Sequence, residues 1–326
     1  MKKLFLVIIT VMWPHCLWAE VDMSSGMKDF NDDAALSCRY IDDMLFCTGA
    51  DDEVFTGMAK KEYASGVLML MAQLKDGRQD GEYKLYSEKA KLLEECMYKA
   101  GVQHGVCKDY YPDGQLKTQE YYTDGLLNGA KKTYYENGQL QVEGNFVDGG
   151  LEDKFKAYYP NGKVSVECDF ADNMKNGENK VYSKDGVIQE LNHWKNNKKD
   201  GVEIIYYEDG SKKTERHWSN DVLNGEVVDY YRDGTPQKVV TWEQGEQTGP
   251  MKMFYPNGKL MLIGAQVDGQ KQGMIKMYDE QGRISEECPW EQGKKNGSKK
   301  EYYPNGKLRL LANFENDKQN GISTAY

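Results

Sequence analysis

From residue 57 onward the chain alternates apolar and polar residues in segments of seven to nine, separated by glycine-containing turns. Alternation of period two over that length reads as β-strand, because successive side chains of a strand point to opposite faces. The punctuation is periodic. Glycines following Asn or Asp stand at Gly114, Gly138, Gly162, Gly186, Gly210, Gly234, Gly258 and Gly306, and Gly282, after Gln281, completes the series at a constant step of 24 residues. Gly66 keeps the register upstream, and Ala90 takes the glycine's place between. A second series runs through Gly57, Gly81, Gly105 and Gly129, then from Gly177 to Gly321, broken only at Asp153.

The first series has the chemistry of a hairpin turn. In Tyr159-Pro160-Asn161-Gly162 proline presets the backbone, asparagine tolerates the third turn position, and glycine accepts the left-handed fourth. The expected loop closes with a glycine bulge. Each 24-residue unit is therefore two antiparallel strands and two turns.

Apolar columns follow the same register. Two residues after the turn glycine come Leu116, Leu140, Val164, Ile188, Leu260, Ile284 and Leu308; eight after it come Tyr122, Phe146, Phe170, Trp194, Trp218, Trp242, Trp290 and Phe314. Four before it stand Tyr110, Tyr134, Tyr158, Tyr182, Tyr206, Tyr230, Phe254, Tyr278 and Tyr302. Alternation is expected to place these three columns on one face. Small residues six after the mark (Gly144, Cys168, Gly264, Cys288, Ala312) leave room for neighbouring rings, and a lysine column including Lys108, Lys156 and Lys276 covers the rings with its stems. The predicted fold is all-β: an elongated single-layer antiparallel sheet of about twelve tandem 24-residue β-hairpin repeats. At ~4.8 Å per strand such a rod is roughly 115 Å long.

These residues resemble the MORN repeat in its bacterial variant form: a Tyr pair, Asn-Gly, an aliphatic residue, an aromatic, a second glycine, then Lys before the next Tyr pair. Residues 134–162 (YYENGQLQVEGNFVDGGLEDKFKAYYPNG) carry the pattern except at Asp153, and residues 302–326 carry it to the end of the chain. The resemblance implies a β-hairpin rod acting as a binding or assembly scaffold, with no catalytic residues and no cofactor. Bacterial members are often labelled antitoxin-like, and eukaryotic ones are linked to membrane lipids and protein partners.

Composition narrows the function. With 39% hydrophobic residues, 33 Gly and 23 Tyr in 326 residues, the chain is too poor in aliphatic side chains for a thick core and too aromatic for disorder. At the N-terminus Lys2 and Lys3 precede an apolar run and a cleavage-like site after Ala19, which reads as a signal peptide over 1–19. An acidic segment over 20–41 and the repeat array over 42–326 follow. Export to the periplasm or cell surface is the expectation. Without residues 1–19 the chain has 40 basic against 52 acidic side chains, a balance that excludes nucleic acid as a partner. No later apolar run is long enough to span a membrane.

Cysteine usage fits an oxidising compartment: Cys38 and Cys47 flank one predicted hairpin, Cys96 and Cys107 one loop, and each pair is a candidate disulfide. Cys168 and Cys288 share an offset five repeats apart, roughly 48 Å along such a sheet, and are expected as small core residues. His193-Trp194 and His217-Trp218 lack a third ligand, and the clusters at Asp32-Asp33, Asp42-Asp43 and Asp51-Asp52-Glu53 match no calcium loop. No metal site is expected. No nucleophile elbow, phosphate loop or zinc-protease motif occurs, so no enzyme is expected.

Binding remains. Three residues before the turn glycine, on the face opposite the expected core, stand Tyr111, Tyr135, Tyr159, Tyr207, Tyr231, Tyr255 and Tyr303, candidates for contact with a protein partner. Self-assembly through the sheet edge at Tyr326 is a second mode. Cell-wall carbohydrate stacked on Trp194, Trp218 and Trp242, a track interrupted at Gln266, is the alternative, and neutralisation of a partner protein a further one.

Overall fold

A computed structural model describes residues 37–41, 44–49, 53–267 and 269–326, with side chains from Phe46 onward. The expected signal peptide, nearly all of the segment 20–41, and the acidic residues Asp32, Asp33, Asp42, Asp43, Asp51 and Asp52 lie outside the described residues. Every element is a β-strand, every pairing is antiparallel, and no helix occurs among the described residues.

The chain forms two compact units, one reaching Gly114 and one starting at Gln115. In the first, Gly57–Glu62, Leu68–Lys75, Arg78–Tyr86, Leu92–Lys99 and Val102–Tyr110 pair in chain order. An N-terminal hairpin, Ser37–Ile41 with Met44–Thr48, begins ahead of residue 42 and joins them where Phe46 pairs with Arg78. The second unit repeats the plan, as in the run Leu140–Val147, Gly150–Tyr158, Val164–Ala171, Met174–Tyr182, Ile188–Lys195.

The hairpin turns form as their residues dictate. The Gly162 N–H donates to Tyr159 O and the Tyr159 N–H to Lys163 O, both at 2.8 Å, with Gly162 at φ 80°. Ala90 adopts the same left-handed backbone at φ 56° without glycine's freedom.

One feature of the register redistributes the columns. Ala157 pairs with Val166, yet Tyr158 pairs with Val164, so Ser165 is an extra residue opposite the Ala157–Tyr158 step. The same shift recurs at Val181/Tyr182, Met277/Tyr278 and Glu301/Tyr302. One extra residue reverses the parity. The tyrosines four before the glycine therefore lie on the face opposite the aromatics eight after it, which corrects the single-face expectation. Ring contacts agree: Phe170 meets Phe155 edge-on with centroids 6.1 Å apart, and Tyr98 meets Tyr83 at 5.8 Å.

The core is thin and lies on that second face. Phe155 pairs with Cys168 and Ile275 with Cys288, and all four are buried. The small residues make room for aliphatic side chains as well as rings: a Cβ on Gly144 would meet Leu151 Cδ1 at 2.8 Å, and one on Gly264 would meet Ile275 Cγ1 at 2.8 Å.

The second glycine series has its own cause. A Cβ on Gly201 would meet His193 Cβ at 2.9 Å, and one on Gly129 would meet Tyr121 Cβ at 3.1 Å. These glycines admit the side chain of the neighbouring strand. Gly249 and Gly273 differ, at φ 71° and 75° with nothing within 4 Å. Asp153, at φ 61°, takes this second geometry, which a short polar residue tolerates.

Candidate interaction surface

The tyrosine column proposed for binding is tied into the array. Tyr135, Tyr159, Tyr207, Tyr231 and Tyr255 each donate the phenolic hydrogen to a backbone carbonyl of the next repeat, on Tyr158, Tyr182, Tyr230, Phe254 and Tyr278, at 2.7–2.8 Å. Tyr63 and Tyr303 do the same to Tyr86 and Tyr326. Their rings are half-buried except Tyr303, which is 40% exposed, and Tyr111 is half-buried too. Among the described residues three repeats lack this staple. Ser87, Ser183 and Asp279 stand in the tyrosine's place, 96 residues apart, and accept backbone N–H bonds from their own turns instead.

A second ladder, missed in the sequence, crosses the first face. Tyr110, Tyr158, Tyr182, Tyr230 and Tyr302 donate to Glu95, Glu143, Glu167, Glu215 and Glu287, each in the preceding repeat, at 2.6–3.4 Å. Lysines flank the carboxylates: Lys108 bridges Glu95 at 2.8 Å, Lys156 bridges Glu167 at 3.1 Å, and Lys276 bridges Glu287 at 3.0 Å. The lysine column thus neutralises carboxylates instead of covering rings. Burial, then the Glu95 bond, pushes Tyr110 up to about 12, while the Lys108 bond holds Glu95 below the usual carboxylate range. The signal was present as glutamate five residues after the turn, and Phe254, without a hydroxyl, occurs where the corresponding glutamate is Val239.

On the other face a different set of lysines caps the aromatics. Lys175 lies 4.8 Å from the Trp194 ring, Lys199 lies 5.9 Å from Trp194 and 5.2 Å from Trp218, and Lys271 lies 4.3 Å from Trp290. Trp242 instead pairs in register with Gln247. Beside this column Glu203, 3% exposed, accepts from Lys199, from Arg216 at 3.0 Å and from Trp218 Nε1 at 3.2 Å. Burial raises its pKa, but those bonds outweigh burial and hold it low.

The cysteines divide as expected where they are described. Cys96 and Cys107 form a disulfide across paired strands, and Cys168 and Cys288 are free and buried. Cys47 is disulfide-bonded, and Cys38 is its register partner, with a side chain outside the described set. Next to the Cys96–Cys107 bridge, Glu94 faces Asp109 in register, and burial followed by that neighbouring charge pushes Glu94 up to about 7. His193 and His217 each bond a backbone carbonyl through Nδ1, at 2.8 and 2.9 Å.

The glutamate position is non-acidic at Met71, Gln119, Leu191, Val239, Ile263 and Leu311, and at Val239 and Ile263 two successive repeats lack it. Ile263 occupies a position that carries glutamate in five other repeats, with Lys252 and Lys276 as its register partners on either side. Around it lies a depression of about 510 Å³ lined by Pro250, Ile263, Ala265, Met274, Lys276 and Tyr278. Gly249 and Gly273, two second-series glycines with nothing within 4 Å of a Cβ, also line it. A separate polar depression of about 500 Å³ is lined by Asn224, Glu243, Gln244, Glu246 and Thr248.

No curated protein matches the chain. Solved structures similar to it include a TcdB2–TccC3–Cdc42 complex, 13% identical over 85% of this chain and 19% of that one, with a TM-score of 0.19. A mutant Tc holotoxin pore of Photorhabdus luminescens is 13% identical over 83% of this chain and 18% of that one, also with a TM-score of 0.19. The chain spans about a fifth of the length of these structures, and scores this low carry nothing over to it. The MORN repeat variant model matches residues 103–124, 127–148, 154–172, 199–220, 247–264 and 295–316. Those segments contain staple tyrosines, ladder glutamates and turn glycines of the 24-residue register, and the chain belongs to the MORN repeat variant family.

Proposed function

We propose that the chain is an exported, non-enzymatic repeat scaffold that binds a protein partner in the periplasm or at the cell surface. The observation that carries this reading is the use of the recurring polar side chains. Staple tyrosines, ladder tyrosines, glutamates and lysines hold one repeat to the next. A carboxylate already bonded to a phenol and an ammonium is poorly placed for acid–base chemistry. What varies between repeats is surface, and surface variation on a constant frame is how repeat arrays acquire partners. The Cys96–Cys107 disulfide supports an oxidising destination. Carbohydrate stacking is less favoured, because ammonium groups lie over Trp194 and Trp218, two of its three candidate rings.

The test is expression of the full chain in a bacterial host, followed by N-terminal sequencing and thiol labelling of the exported fraction. The expected product begins at Glu20 with Cys96 and Cys107 protected from labelling. A cytoplasmic chain with both thiols free would overturn the export reading.

A further inference from the structure

The depression around Ile263 coincides with a missing charge. Four of the five ladder glutamates lie between two lysines in register, as Glu167 between Lys156 and Lys180 and Glu287 between Lys276 and Lys300; Glu215, between Ile204 and Val228, is the exception. Lys252 has lost both of its carboxylates. Its register partners are Val239 on one side and Ile263 on the other, and it is exposed. The surrounding segment 247–278 holds four lysines, and its one acidic residue is Asp268, in a chain of net charge -10.

The site also has an apolar half. Met274, which lines the depression, is 49% exposed, and Val267, on the strand of Ile263, is 56% exposed. Gly129 and Gly201 each admit a neighbouring side chain, whereas Ala265, the register partner of Pro250 and Gln272, is small and nothing lies within 4 Å of a Cβ on Gly249 or Gly273. Methionine on an open apolar surface adapts to varied aliphatic shapes.

We propose that this depression, with Lys252 beside it as the register partner of Ile263, docks a segment of the partner protein that presents an aliphatic side chain to Ile263 and a carboxylate to Lys252. The partner supplies the charge that the ladder omits. The inference rests on the scaffold reading and gives it a place and a chemistry. An anionic lipid surface shares the carboxylate's sign, but one small depression on a strongly acidic chain offers no extended basic face to a membrane.

The test measures binding of the full chain to synthetic peptides alternating Leu with Glu, Leu with Gln, and Ser with Glu. The decisive variant is Ile263→Glu, which writes the ladder residue of five other repeats into this one and so keeps the fold while filling the site. Lys252→Gln is the second. The Leu/Glu peptide is expected to bind best, and each variant to weaken it about tenfold or more. Equal binding of all three peptides, or Leu/Glu binding indifferent to Ile263→Glu, would overturn the proposal. So would binding of anionic phospholipid vesicles that Ile263→Glu abolishes while no peptide binds. A photo-crosslinker at Met274 and another at exposed Val147, used on the exported fraction, separate the two readings. Adducts at 274 lost on Ile263→Glu support the site. Adducts at 147 alone sink the site and leave the scaffold standing, and none at either position counts against both.

Discussion

The Tyr158 hydroxyl donates to the Glu143 carboxylate of the preceding repeat at 2.6 Å. The pair ties two consecutive, directly paired strands, Leu140–Val147 and Gly150–Tyr158, and it recurs wherever a glutamate follows the turn by five. Phenol and carboxylate lie at opposite ends of the pH scale, so the ladder has two limits.

On the alkaline side, Tyr110 is raised to about 12. An unfolded tyrosine ionises near about 10, so its stabilisation is complete below that pH and is lost as pH rises toward the folded value. Glu95 and Glu287 are held down, chiefly by Lys108 and Lys276. Their contribution is present above the ordinary carboxylate pKa of about 4.3 and is lost as pH falls through the lower folded values. Thermal unfolding across pH is expected to show a broad plateau with both limbs. Tyr158→Phe should shrink the alkaline limb, and an unchanged limb would mean the phenols are not coupled to folding.

The staples make a local prediction. Tyr159→Phe removes one hydrogen bond to Tyr182 O and is expected to cost about 1 kcal/mol in urea unfolding. Ser183→Tyr, which writes a staple into a repeat that lacks one, should gain a similar amount. Amide exchange should be fastest in the strands following Ser87, Ser183 and Asp279, because there no staple joins the turn to the next repeat.

Glycines separate by geometry. Gly201→Ala puts a Cβ 2.9 Å from His193 Cβ at φ 116° and should cost roughly 2–3 kcal/mol. Gly273→Ala meets only the left-handed backbone cost of about 1 kcal/mol. Ala90→Gly relieves that same cost and should stabilise the first unit by about 1 kcal/mol. Equal losses at Gly201 and Gly273, read by denaturant midpoints, would show that the neighbouring side chain gives way.

Glu94 carries the remaining pH signature. Its pKa is raised to about 7, so the unfolded chain ionises first and the fold loses stability as pH rises from the ordinary carboxylate value through 7. Glu94→Gln is expected to stabilise the first unit at pH 8 by roughly 1–2 kcal/mol and to change nothing below about pH 4. A gain that persists at low pH would point to packing, not charge.

Much of this architecture can be read from spacing alone. The turn at Tyr159–Gly162 is local chemistry, and so is the strand length between turns. The free, buried state of Cys168 and Cys288 follows from their separation in an ordered array. The Tyr158–Glu143 bond was legible only as a fixed offset of 15 between residue types, and the depression at Ile263 only as a glutamate absent from its place.

Sequence by itself determined the period, the hairpins and the all-β class, because a 24-residue repeat of turn residues and alternation leaves no other regular solution. Tertiary structure alone decided which column lies on which face. The cause is the single extra residue opposite the Ala157–Tyr158 step. Alternation counts residues, whereas a bulge changes the count without changing the spacing of the turns. From that inversion follow the tyrosine–glutamate ladder on one side and the lysine-capped tryptophans on the other.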